Sequence, residues 1–175
     1  MIEPYTEPGR VAVPGGGCVL PSRPTVKPGA TIFADSEMIL RGCAVPGLGR
    51  ADQFTALGWV RQQFMAKLGL QPFPGTFNVH VVSAEDRALW EVLKTQLRIR
   101  IEGPDASACA ALCSPVLINE RIRGAIVVPG IPGYPPDQVE VVAAQSIRAT
   151  LSISDGDPIT LRVVPRTTDT ADVGS

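Results

Sequence analysis

Thr76 and Asn78 stand two residues apart in Gly69-Leu70-Gln71-Pro72-Phe73-Pro74-Gly75-Thr76-Phe77-Asn78. In an extended segment, residues at that spacing leave the backbone on one face. A Thr hydroxyl and an Asn carbonyl are hard, neutral oxygens. They suit Mg²⁺, which takes few protein ligands and leaves the rest to water and phosphate. A proline-rich turn in which Asn bonds its own backbone uses the same residues, so the pair alone leaves both readings open. A second candidate is Gly47-Leu48-Gly49-Arg50-Ala51, ahead of a helical pattern. Loop N–H groups beside a helix N-terminus hold phosphate, although a turn is the default for Gly-x-Gly. Glu140, an acid within an apolar alternation, reads by itself as a charge on the solvent face of a strand. Gly15-Gly16-Gly17 is not a phosphate loop, because no Gly-Lys-Ser/Thr follows it. The cysteines Cys18, Cys43, Cys109 and Cys113 form no CxxC pair, and His80 is the sole histidine. Four free thiols buried as small hydrophobes are expected, and zinc is not.

The elements that must hold these groups follow from periodicity and turn chemistry. Met38 to Val45 reads as a strand. Phe54, Leu57, Val60, Phe64 and Leu68 recur at helical spacing, predicting one amphipathic helix of about four turns with Asp52 as N-cap. Gly69 ends that helix in the left-handed position, and Pro72 and Pro74 hold the next stretch extended. Phe77 to Val82 alternates as a half-buried strand. Phe77, Val79 and Val81 face one way; Thr76, Asn78 and His80 face the other. Further strands are expected over 97–101, 107–118, 123–128, 138–143 and 159–164, with short helices over 84–93 and 146–151. Ser154-Asp155-Gly156-Asp157 turns into the last strand. Many short strands and few helices predict a mainly β fold, a closed barrel plugged or flanked by helices.

The chain has 175 residues, 45% hydrophobic, with formal charge −1 and 17 each of Gly and Pro. That suffices for one domain with a core. The near-neutral charge argues against nucleic acid as a partner. No apolar run approaches a membrane span, and the N-terminus lacks a secretory pattern, so a cytoplasmic protein is expected. Residues 1–36 read as a Gly/Pro-rich arm, 37–165 as the barrel domain and 166–175 as a flexible tail.

The Pro-Gly-Thr-Phe-Asn segment resembles the Pro-Gly-Thr-Leu-Asn signature of the archaeal-type, CTP-dependent riboflavin kinases, with Phe77 in place of Leu. Further resemblances follow in the family's order. Gly47-Leu48-Gly49 is similar to the start of its Gly-Leu-Gly-Glu-Gly loop, with Arg50 and Ala51 departing. Val139-Glu140-Val141-Val142-Ala143-Ala144 resembles Ile-Glu-Ile-Ile-Ala-Pro, and Ser154-Asp155-Gly156-Asp157 resembles Lys-Asp-Gly-Asp. Gln145-Ser146-Ile147-Arg148 takes the place of x-x-Leu-Arg. The resemblance implies a closed six-stranded cradle-loop (riboflavin-synthase-like) β barrel that transfers the γ-phosphoryl of CTP to riboflavin. It implies Mg²⁺ on Thr76 and Asn78. It implies nucleotide binding by Gly47, Leu48, Gly49, Arg50, Ala51, Asp52, Gln145, Ser146, Ile147 and Arg148. It places flavin contacts at Pro132, Tyr134 and Glu140, and Glu140 is the expected catalytic acceptor of the substrate proton. The family's flavin-contacting Thr falls on Pro132, which has no hydroxyl; Tyr134 is the nearest side chain in that loop that has one. A non-catalytic flavin- or nucleotide-binding barrel is the alternative, and a DNA-binding barrel a third reading that the charge disfavours.

Overall fold

The computed structural model describes residues 20, 38–47, 51–103, 105, 111–130 and 132–164. The expected arm (apart from residue 20), the tail, residues 48–50 and the predicted strand start at 107–110 lie outside them. Strand β1 (Ile39–Val45) leads toward α1 (Ala51–Ala56) and α2 (Gly58–Leu68). One helix was expected here, and two form. Leu57 sits between them in extended conformation, φ −61° and ψ 129°, and its N–H donates to the Phe54 carbonyl at 3.2 Å. Gly58, a poor helix former, opens the second helix at this break. The apolar stripe is therefore interrupted: Val60 and Phe64 are fully buried, while Leu57 is exposed. Asp52 lies inside the first turn of α1 and does not precede it. Gly69 caps α2 at φ 62°, as its lack of a Cβ allows, with its N–H on the Met65 carbonyl.

Strand β2 (Phe77–His80) follows, then α3 (Ala84–Gln96), whose N-cap Ser83 accepts from the Asp86 N–H at 3.0 Å. This helix outruns its expected end at 93, since no Gly or Pro stops it there. The remaining elements are β3 (Ile99–Ile101), β4 (Ala111–Ile118), β5 (Ile122–Pro129), β6 (Gln138–Ala143), α4 (Ile147–Leu151) and β7 (Pro158–Val163). Strands neighbour one another, all antiparallel, in the order β4-β5-β6-β2-β1-β7. A β4–β7 pairing closes the ring into a six-stranded barrel, and β3 adds a seventh strand on β4. The edge of β4 is shared: Ala111 to Cys113 pair with β3, Val116 to Ile118 with β7. Pro115 marks the changeover. Its missing N–H falls where no ladder bond is needed, and its carbonyl accepts from the Val164 N–H at 3.0 Å.

Alternation along these strands builds two cores. Phe77, Val79, Val139, Val141, Ile126 and Leu161 fill the barrel, with Trp90 and Leu93 of α3 packed into the same cluster. Ala125, Val127 and Val142 leave the other face and pack with Val60 and Phe64 of α2 and with β3. Cys113 lies in that second core, free and fully buried; burial pushes its thiol up to about 12, which leaves it inert. Cys43 corrects the expectation of four free thiols. It is buried in β1 and disulfide-bonded, a pairing that sequence spacing does not reveal because only folding brings distant cysteines together. No described helix is long and apolar enough to cross a membrane.

Candidate functional site

The register of β2 against β6 places Asn78 directly opposite Glu140, with Phe77 opposite Val141. Paired residues share a face. Phe77, Val79, Val139 and Val141 point into the barrel, so Asn78, Gln138 and Glu140 leave the outer face of the same ladder. Asn78 is only 3% exposed, although it stands on the polar face of the alternating strand. Its Oδ1 accepts from Gln138 Nε2 at 2.7 Å, and its Nδ2 donates to the Thr76 carbonyl at 3.4 Å. The amide is thereby held in one orientation.

Glu140 is surrounded by hydroxyls. Tyr134 donates its phenolic O–H to Glu140 Oε1 at 2.7 Å, and the Thr76 hydroxyl also hydrogen-bonds the carboxylate. Burial raises the Glu140 carboxyl above its ordinary range; the bonds from Tyr134 and Thr76 pull partly back. At the rim, His80 Nε2 lies 3.6 Å from Asp137 Oδ2. Pro132 is exposed in a turn with Gly133 at φ 79°. Tyr134, expected toward flavin, follows this turn and donates its hydroxyl to Glu140.

A second region opens at the end of the ladder. A cavity of about 100 Å³ is lined by residues 73–77 and 145–148 together with Val141 and Ala143. Gly75, at φ 90°, turns the chain at its edge, and its N–H donates to Thr55 Oγ1 of α1 at 2.8 Å. Ser146 caps α4 by accepting from the Ala149 N–H at 3.3 Å, which presents Arg148. Arg148 Nη2 donates to the Val45 carbonyl at 2.8 Å and to Asp155 Oδ1 at 2.5 Å. The guanidinium carbon lies 5.4 Å from the centre of the Phe77 ring, a cation–π distance. Phe77 thus offers Arg148 a surface that the family's Leu lacks.

The structure brings Thr76, Asn78, Tyr134 and Glu140 together, and separately Gln145, Ser146, Ile147 and Arg148. Thr76 belongs to both groups. Ile147 packs into the barrel core while also lining the cavity. Gly47 is exposed at the end of β1, Ala51 and Asp52 form the first turn of α1, and Leu48, Gly49 and Arg50 lie outside the described residues. Gln138, Thr55 and Asp155 were not singled out from sequence as site residues. Gln138 carried a signal, standing two residues before Glu140 on the same face, and Asp155 stood in the Ser154-Asp155-Gly156-Asp157 turn.

Residues 44–163 match the family model of CTP-dependent riboflavin kinase, described as "Domain of unknown function DUF120". The chain is 36% identical over 127 residues to a riboflavin kinase of Methanosarcina acetivorans and 33% identical over 130 residues to one of Methanocella arvoryzae, covering 71% and 74% of this chain. It is 33% identical over 129 residues to a riboflavin kinase of Aeropyrum pernix, covering 72% of this chain and 96% of that protein. The chain spans only 53% and 59% of the first two relatives' lengths. With the closed barrel and the ordered motifs, the match over residues 44–163 shows that the chain belongs to the CTP-dependent riboflavin kinase family.

Proposed function

We propose that this chain is a CTP-dependent riboflavin kinase, transferring the γ-phosphoryl of CTP to the ribityl 5′-hydroxyl of riboflavin. The observation that carries the reading is the pairing of Asn78 with Glu140 across β2 and β6, with the Thr76 hydroxyl on that carboxylate. It sets a proton acceptor beside two neutral oxygens, next to a cavity that holds an arginine. In the reaction the ribityl oxygen bonds Pγ, the bond from Pγ to the β-phosphate's bridging oxygen breaks, and CDP leaves with that electron pair. Glu140 orients the hydroxyl and takes its proton. A carboxyl raised by burial is a stronger base than an ordinary one, which suits that role. Arg148 offsets phosphate charge, and Gly47 to Asp52 with Gln145 to Arg148 hold the nucleotide.

The donor set fits Mg²⁺. Among the described residues no group of three or more His, Cys, Asp or Glu gathers, but Thr76 and Asn78 present the hard neutral oxygens that this ion shares with phosphate and water. The Asn78 carbonyl has two lone pairs, and Gln138 takes one. Mg²⁺ would be held by Thr76 and Asn78 and would neutralise phosphate charge. Phosphoryl transfer needs alignment and charge neutralisation more than covalent help, which agrees with so sparse a site.

The test is a donor-and-acceptor screen: purified protein, Mg²⁺, riboflavin and each of the four nucleoside triphosphates, with FMN and the nucleoside diphosphate quantified. FMN formed chiefly with CTP is expected. Tight flavin or nucleotide binding with no FMN from any donor would overturn the kinase reading and leave a binding module, as the loss of the flavin-loop hydroxyl at Pro132 suggests.

A further inference from the structure

Several large hydrophobic side chains among the described residues stand exposed, and Phe73, at 45%, is the aromatic one among them. It is also the one that lines the Arg148 cavity. Single exposed apolar groups need no explanation in themselves; the setting of this one does. Pro72 and Pro74 flank it and fix φ on either side. Its own N–H donates to the Ala143 carbonyl at 2.8 Å, tying the segment to the end of β6. The backbone is therefore held before any ligand arrives, and a half-exposed ring shares the cavity with a guanidinium and the exposed Gln145. A short aromatic side chain on a fixed backbone has little conformational entropy to lose when another ring stacks on it.

We infer that Phe73 is the platform on which the nucleobase of the phosphate donor stacks, with the donor's phosphates directed toward Arg148. The inference rests on the nucleotide reading of this cavity given above. A base is favoured over the isoalloxazine of flavin for one reason. The groups that handle the acceptor, Tyr134 and Glu140, meet on the outer face of the β2–β6 ladder, away from the face that Phe77 and Val141 share with the cavity.

Isothermal titration of CDP, tripolyphosphate and FMN into wild type, Phe73→Ala, Phe73→Leu and Phe73→Tyr tests this, with melting temperatures measured alongside. Base–aromatic stacking predicts that Phe73→Ala and Phe73→Leu weaken CDP by about five- to a hundredfold. Phe73→Tyr keeps the ring and should bind CDP like wild type. Tripolyphosphate and FMN affinities should not move, and neither should the melting temperature, since the ring is half in water. Unchanged CDP affinity in Phe73→Ala overturns the platform while leaving the nucleotide reading intact. Loss of FMN affinity in place of CDP makes the ring a flavin contact and overturns it too. Equal losses for CDP and tripolyphosphate assign the effect to loop shape and overturn it. A wild type that binds no CDP sinks the nucleotide reading, and the platform with it.

Discussion

The outer face and the end of the β2–β6 ladder hold opposite charges by opposite means. On the outer face, Glu140 is half-buried among neutral donors: the Tyr134 and Thr76 hydroxyls. Its raised pKa is set by burial and those two bonds, with no arginine among the causes. At the ladder's end, Arg148 is balanced by Asp155, the Val45 carbonyl and the Phe77 ring. Had Arg148 paired with Glu140, each would have neutralised the other, holding the carboxyl low and the cation away from phosphate. In the proposed reaction, separate partners leave the carboxylate able to accept a proton and the guanidinium able to meet phosphate. Thr76 is the residue common to both regions, since it bonds Glu140 and lines the cavity.

Substitutions can break or sharpen this division. The largest effect is expected from Asn78→Leu, which removes the carbonyl opposite Glu140. FMN production should fall about a hundredfold or more, with circular dichroism showing an intact barrel. Wild-type turnover would remove Asn78 from the chemistry. Next comes Arg148→Gln. Losing a charged hydrogen-bond donor should raise the KM for CTP by about ten- to a hundredfold and leave that for riboflavin unchanged. Parallel rises in both would show that the two regions act as one.

Tyr134→Phe removes a single bond to the acidic side. A roughly two- to tenfold drop in turnover is expected at constant CDP affinity; a weaker grip on CDP would place Tyr134 in the wrong region. The smallest effect is on stability. Burial raises the folded-state pKa of Glu140, so the folded protein binds its proton more tightly than the unfolded chain does. The stability this gives is present below the unfolded carboxyl pKa and is lost as pH rises through the folded one. Above that point the buried charge weakens the fold. Glu140→Gln should therefore melt a few degrees higher than wild type at pH 7 to 8, and the gap should close toward pH 4. A gap that does not vary with pH would assign the gain to packing.

Much of this was legible in local chemistry. Gly69 as a left-handed stop, the extended Pro72–Pro74 stretch, the alternation that sends Thr76 and Asn78 to one face, and the Asp155-Gly156 turn each depend on backbone sterics between near neighbours. The order of the motifs pointed to the barrel and to the family. The break at Leu57 was missed because the apolar spacing runs on through it, while the backbone there is extended.

Only the tertiary structure decided how the site groups are partnered. Gln138 reaches Asn78 across 60 residues of chain, and Arg148 reaches Val45 across 103. Cys43 is disulfide-bonded. Asn78 is buried although strand alternation puts it on the polar face of β2, and its amide is bonded there to Gln138 and to the Thr76 carbonyl. The physical reason is that a residue's type fixes which bonds its side chain can make and its neighbours fix where that side chain points. Burial and bond partners arise only when distant strands meet in register, and those two quantities set the charge on Glu140 and the reach of Arg148.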